Sequence, residues 1–271
     1  MAERSSDTLY NAASYQKYRF SPSENLQSVI FSYLEEKKLN PVRLAVDVGC
    51  GSGQSTRVLV TRCEKVVGTD ISEAQIEAAK RSASFPNVSY RVCPAEELPF
   101  EDGSVDLVTA FTAAHWFDLP RFMKEVDRVL KPHGCTALST YTNNFSVHYK
   151  DCSERLTEIF TETQKLLLAY ADEKVSRVTV EYEEVFEALP FQDKQRVSQI
   201  VDRIPMSVAG VIGFCQSFSM YQAFLRSDPE AAKSLLQKTE ERFLETMGVG
   251  SNETQVELCI RSVCVLGCKG P

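Results

Sequence analysis

Asp47-Val-Gly-Cys-Gly-Ser-Gly53 places one carboxylate and three glycines within seven residues. Glycine lets the backbone approach a ligand where a Cβ would collide, so this spacing belongs to a loop that cradles a nucleotide-like group. The glycine pattern narrows the ligand. A dinucleotide fingerprint requires Gly-x-Gly-x-x-Gly, and counting from Gly49 the sixth position is Gln54. A carboxylate at Asp47 is poorly suited to a pyrophosphate and well suited to an ammonium group. The pattern therefore points away from a nicotinamide dinucleotide and towards a cofactor with a cationic, amino-acid-like end.

A second acid, Asp70, closes the run Gly68-Thr-Asp-Ile-Ser72. At the end of a neighbouring strand, it is placed to accept both hydroxyls of a ribose, and Ile71 to give adenine an apolar face. His115 and Trp116 (the sole tryptophan) follow a further apolar run, Val105–Phe111. His115 is a candidate general base and Trp116 a candidate pocket wall. A histidine held by a backbone carbonyl and a core tryptophan are the structural alternatives.

These residues require a particular scaffold. Strands are expected at Arg43–Val48, Lys65–Asp70, Val88–Val92, Val105–Phe111 and Gly134–Tyr141, with helices at Gly53–Thr61, Glu73–Ser82 and Arg121–Leu130. Ser72 with Gln75 forms a capping box. Such alternation implies a parallel sheet with right-handed crossovers. Ahead of it, Ser23–Lys38 has a helical period. Beyond it, Ser153–Tyr170, Glu181–Ala188, Val208–Phe224 and Pro229–Met247 read as helices, Asp193–Ile200 as an edge strand and Val256–Leu266 as a final strand. The expected fold is α/β: a Rossmann-like sheet, mostly parallel with an antiparallel last strand, carrying a helical lid insertion and an N-terminal cap helix. One domain, 1–271, divides into a cap segment (1–40), a cofactor-binding half (41–142), lid helices with an edge strand (143–250) and the last strand (251–271).

Apolar residues form 43% and charged residues 25% of the 271-residue chain, an ordinary globular composition. A net charge of −7 with dispersed Lys and Arg disfavours nucleic acid. The nine cysteines include no Cys-x-x-Cys pair and lie mostly in apolar segments, so buried reduced thiols are expected and no metal site. The polar start and the lack of a membrane-length apolar stretch give a cytoplasmic expectation, with no membrane partner and a monomer or homodimer.

Five motifs in register carry a family resemblance: Asp47–Gly53, Val67-Gly-Thr-Asp-Ile-Ser72, Ala95-Glu-Glu-Leu-Pro-Phe100, Val105-Asp-Leu-Val108 and Val129-Leu-Lys-Pro132. Across residues 40–140 the chain resembles the class I S-adenosylmethionine-dependent methyltransferases. Ala113–Asp118, Tyr15–Arg19 and Ser217–Tyr221 make it most similar to the small-molecule enzymes related to trans-aconitate methyltransferase.

The resemblance implies S-adenosyl-L-methionine as cofactor and S-adenosyl-L-homocysteine as product. It implies that Gly49, Gly51, Ser52 and Gly53 wrap the methionine and ribose portion, with Asp47 near the ammonium and Asp70 on the ribose. Ala95 would meet adenine through its N–H, with Glu96 behind it, and Thr112 and Ala113 would run beneath the sulfonium. Arg19 would clamp a carboxylate of cofactor or substrate. Two departures stand out: Pro94 replaces the usual Asp before Ala-Glu, and His133 replaces a common glycine. The implied reaction is in-line methyl transfer to a small metabolite, with a carboxylic acid among the acceptors. If the acceptor is a polycarboxylate, Arg155, Arg177, Arg196 and Arg203 are the pool of further clamps. A quinone-type carbon or oxygen methyltransferase and an inactive cofactor-binding protein are the alternatives.

Overall fold

The computed structural model describes residues 18–82 and 85–271, so Tyr15, Gln16 and Lys17 of the Tyr15–Arg19 motif lie outside the described residues. In chain order it contains α1 (Glu24–Glu36), β1 (Val42–Val48), β2 (Cys63–Asp70), α2 (Glu73–Ser82), β3 (Val88–Val92), β4 (Val105–Phe111), α3 (Leu119–Val129), β5 (Leu130–Tyr141), β6 (Ser146–His148), α4 (Ser153–Leu168), α5 (Ser176–Thr179), α6 (Glu183–Ala188), β7 (Asp193–Ser207), α7 (Val208–Gln216), α8 (Ser219–Ser227), α9 (Pro229–Met247) and β8 (Gln255–Cys268). Two compact units emerge. One holds 20–142, 174–200 and 262–271; the other holds Tyr18 and Arg19 with 143–173 and 201–261.

In the first unit the strands lie in the order β3-β2-β1-β4-β5, parallel throughout, with the second half of β8 antiparallel to β5. This is the mostly parallel α/β sheet with an antiparallel last strand that the sequence predicts. Every residue of β4 is buried, as expected of a strand covered on both faces. Helix α3 shows how the covering is built. Leu119, Phe122, Met123, Val126 and Val129 fall on one stripe and are all buried. Asp118 caps its start by accepting from the Arg121 N–H, with Pro120 in the first turn.

Several recurring motif residues turn out to tie elements together. Asp106 Oδ2 accepts from the N–H groups of Arg43 and Leu44 at 3.1 and 2.8 Å, and its Oδ1 receives Lys131 Nζ at 2.7 Å. One buried carboxylate thus joins the starts of β1, β4 and β5. Arg128 reaches Glu125 and Asp102 and donates to the carbonyls of Leu98 and Phe100, which pins the 95–100 loop to α3.

In the second unit the first half of β8 pairs antiparallel with β6. Phe145, Phe160, Phe214 and Phe218 form an aromatic core with ring centroids 4.8–6.3 Å apart, and the Thr163 and Thr239 hydroxyls meet at 2.8 Å.

Local differences from the sequence expectation have physical causes. The helix expected over Gly53–Thr61 is only a 3-10 turn, Thr56–Leu59, because the glycines upstream supply no helical backbone. The single helix expected over Val208–Phe224 is two, α7 and α8, broken at Ser217–Phe218, where Ser217 folds its hydroxyl onto the Phe214 carbonyl. Periodicity runs through such a break because both helices bury apolar residues. Strand β7 extends to Ser207, and β6 is a short strand the sequence does not announce. Among the described residues no single helix is long and apolar enough to cross a membrane. The pair α7 and α8 passes that test only together, across a 73° bend.

Candidate active site

The β1–Gly loop forms because three residues take positive φ: Gly49 at 68°, Gly51 at 53° and Gly53 at 79°. Close approach adds to this requirement. A Cβ on Gly49 would stand 2.6 Å from Ala113 Cβ and 3.0 Å from the Phe117 ring, and one on Gly53 would overlap the Tyr90 hydroxyl. The loop is therefore pressed against the turn after β4 on one side and against β3 on the other.

Asp70 holds the loop from β2. Its Oδ2 accepts from the Gly51 N–H and its Oδ1 from the Ser72 N–H, each at 2.9 Å. The acid thus orders the glycine loop and the start of α2 while its edge remains half-buried. Beside it Ile71 is 63% exposed, an apolar side chain presented outward. Ser52 is buried, and its hydroxyl has no hydrogen-bond partner among the described residues. A buried unpartnered hydroxyl, a loop too crowded for Cβ atoms and an outward apolar side chain together fit a nucleoside with a polar tail.

Asp47 is fully buried. Thr56 donates to its Oδ2 at 2.8 Å and Thr109 to its Oδ1 at 2.9 Å. Desolvation pushes its pKa up to about 7 against the opposing pull of the two hydroxyls. The neighbouring Cys50 thiol is likewise driven well up by burial.

Past β4, Thr112 takes φ 53°, unusual for a β-branched residue, and its N–H donates to the Ser139 carbonyl at 2.6 Å. Ala113 is buried, and a 3-10 turn, Ala114–Trp116, follows. His115 is buried with its ring 5.0 Å from that of Trp116. Its Nδ1 lies 3.0 Å from the Tyr182 hydroxyl. Ala95 is buried, and Glu96 Oε1 accepts from the Asp118 N–H at 2.8 Å.

Arg19 belongs to the second unit. It donates to the Ser217 carbonyl at 3.0 Å and its guanidinium lies over Phe214 and Phe218. The four arginines that the sequence offers as further clamps all make ion pairs: Arg155 with Glu158, Arg177 with Glu184, Arg196 with Glu183 and Arg203 with Glu257. Thr56, Tyr90, Thr109 and Tyr182 were not predicted from sequence. The first three could have been found as polar residues in register with the glycine loop; Tyr182 carries no such signal. Among the described residues no three His, Cys, Asp or Glu side chains are placed to hold a metal ion.

Comparison with known proteins agrees with this geometry. Residues 46–138 match the family described as "Methyltransferase domain". A Dictyostelium discoideum protein named as a methyltransferase is 33% identical over 238 residues, covering 82% of each chain. The tocopherol O-methyltransferase of Arabidopsis thaliana is 36% identical over 113 residues, 40% of this chain and 32% of that one. Among solved structures, a protein from Anaeromyxobacter dehalogenans described as a type II methyltransferase matches with TM-score 0.72 and 26% identity, over 93% of this chain and all of that one. The chain belongs to the class I S-adenosylmethionine-dependent methyltransferases, with S-adenosylmethionine as its cofactor.

Proposed function

We propose that this enzyme methylates a small metabolite on a carboxylate oxygen, in the manner of the trans-aconitate methyltransferase-like enzymes. The cofactor supplies an activated methyl group when bound. What remains for the chain is to bind it, orient the acceptor in line with the methyl and exclude water. Gly49, Gly51, Ser52 and Gly53 hold the methionine and ribose portion, Asp70 the ribose, Ile71, Ala95 and Glu96 the adenine side, and Thr112 and Ala113 the sulfonium side. Asp47 sits behind the loop near the cofactor's cationic end, and that positive charge would favour its carboxylate form.

The observation that carries the acceptor assignment is the tie between His115 and Tyr182 on the turn after β4. A carboxylate is already a nucleophile at neutral pH and needs no base, whereas a phenol, an amine or a carbon acid does. An imidazole already engaged by a tyrosine suits recognition of an anionic oxygen. Trp116 beside it would wall the acceptor off from water. Likeness to the tocopherol enzyme, confined to 40% of the chain, supports the second reading, a quinone-type acceptor.

Labelled-methyl transfer into a metabolite extract, followed by identification of the product, tests both readings. A base-labile methyl ester is expected. A stable aryl ether or a carbon-methylated ring would replace the first reading with the second, and the absence of any labelled product would favour a cofactor-binding protein without turnover.

A further inference from the structure

Gly68 lies in the body of β2 and lacks the positive φ that explains Gly49, Gly51 and Gly53. Space explains it instead. A Cβ there would stand 2.7 and 2.8 Å from Cδ1 and Cε1 of Tyr90 and 3.0 Å from Cys50 Sγ. Tyr90 and Gly68 are register partners on β3 and β2, and Gly68 is in turn the register partner of Asp47 on β1. Neighbouring strands lie about 4.8 Å apart, so a tyrosine that leans across a bare position crosses β2 and brings its hydroxyl against the loop after β1. A glycine inside a strand marks such a close approach. The same ring meets the far end of the loop. A Cβ on Gly53 would fall 2.4 Å from the Tyr90 hydroxyl and 2.9 and 3.0 Å from Cζ and Cε1.

Two supports of the glycine loop therefore stand on one face of the sheet. Side chains two residues apart on a strand share a face, so Asp70 rises beside the Gly68 position. Asp70 fixes Gly51 through its N–H, and Tyr90 is packed against Gly53. The Gly53 N–H closes onto the Cys50 carbonyl at 3.0 Å, and the Gly53 carbonyl accepts from the Arg57 N–H at 3.3 Å, where the 3-10 turn begins. Tyr90 is half-buried as a residue, but its hydroxyl oxygen is shut off from solvent, and that burial raises the phenol's pKa. The side chain is neutral and acts by contact. Contact is what Gly53 needs, because a glycine at φ 79° has other conformations open to it that a wall of side-chain atoms closes.

We propose that Tyr90 is a positioning residue for cofactor binding: its ring, seated in the space that Gly68 leaves, holds Gly53 in the conformation that receives S-adenosylmethionine. This rests on placing the cofactor at the glycine loop. The atoms of the ring meet different partners. Cδ1 and Cε1 fill the Gly68 side, whereas Cε1, Cζ and the hydroxyl meet Gly53. Removing the outer half of the side chain leaves the sheet filled and releases the loop. A loop that is only partly in its competent conformation loses affinity in proportion to that fraction.

Tyr90→Leu makes that cut, because leucine ends at its δ carbons and keeps only the Gly68 contact. Calorimetric titration of the folded protein with S-adenosylhomocysteine should show binding about tenfold weaker in Tyr90→Leu, the effect of a loop about one-tenth competent. Tyr90→Phe, which keeps the ring, should retain most of the wild-type affinity. A side chain that only filled the core would change urea stability and leave the affinity of the folded protein alone. Wild-type affinity in Tyr90→Leu therefore overturns the proposal, as does a Tyr90→Phe variant as weak as Tyr90→Leu. Gly68→Ala displaces the same ring from the β2 side and should also weaken binding; unaltered affinity there overturns the proposal even where Tyr90→Leu does not fold. Amide exchange with and without S-adenosylhomocysteine judges the placement of the cofactor separately. In the wild type the ligand should protect the amides from Gly51 to Thr56. An unprotected loop would overturn that placement, whereas a protected loop with wild-type affinity in Tyr90→Leu would overturn the role of Tyr90 alone.

Discussion

Asp47 and Thr109 are register partners across the β1–β4 seam, and the threonine hydroxyl donates to the Asp47 carboxylate at 2.9 Å. With Thr56 on the other oxygen, a fully buried acid is satisfied by two hydroxyls. Its pKa rises from the ordinary 3.8 to about 7, chiefly through desolvation. The folded protein therefore keeps this proton where the unfolded chain has released it. The contribution of Asp47 to stability is highest below pH 3.8 and falls as pH climbs to about 7. The slope is about 1.4 kcal/mol per pH unit. Replacing Asp47 with Asn should flatten that component. Urea unfolding of both proteins across the interval measures it; parallel stability profiles would show that Asp47 ionises freely when folded.

Gly49 and Gly103 make a matched pair for substitution by alanine. Both have positive φ, 68° and 59°, but a Cβ at Gly103 meets nothing within 4 Å, whereas one at Gly49 meets Ala113 at 2.6 Å. Gly103→Ala should cost about 1–2 kcal/mol from the backbone alone. Gly49→Ala should cost a further ~1–3 kcal/mol of overpacking. Equal losses in chemical denaturation would mean that the turn after β4 yields freely.

Asp70 orders the loop and is the residue proposed to hold the ribose. Asp70→Ala removes acceptors from the Gly51 and Ser72 N–H groups. Calorimetric titration should show the affinity for S-adenosylhomocysteine falling by about 10–100-fold, the scale of one hydrogen bond to a charged group. An unchanged affinity would put the ribose elsewhere.

Arg128 binds Glu125 through both Nε and Nη2 and carries the Leu98 and Phe100 carbonyls. Lysine cannot reproduce that planar fork. Arg128→Lys should lower stability by about 1–2 kcal/mol and loosen the 95–100 loop, visible as faster amide exchange at Leu98, whose N–H binds Glu125. Native exchange at Leu98 would show that Glu125 holds the loop without the arginine.

The cofactor family was legible in sequence because its signals are local. A strand end, a glycine loop and an acid 23 residues beyond Asp47 follow from short-range periodicity and backbone sterics, and Asp47, the glycines and Asp70 converge on one loop as their order predicts. What local pattern could not give was the partner of each polar group. Thr109 meets Asp47 across 62 residues and Tyr182 meets His115 across 67, distances at which no periodicity carries information. The same limit explains why the helix break at Ser217 stayed hidden and why Arg177, grouped by sequence with substrate clamps, is found holding the backbone of His115. Sequence determined the succession of strands, the mostly parallel sheet and the cofactor, because β-strand burial and glycine φ are properties of neighbours. Tertiary packing alone decided which side chains share a proton, because that depends on where the folded chain brings distant atoms within hydrogen-bond reach.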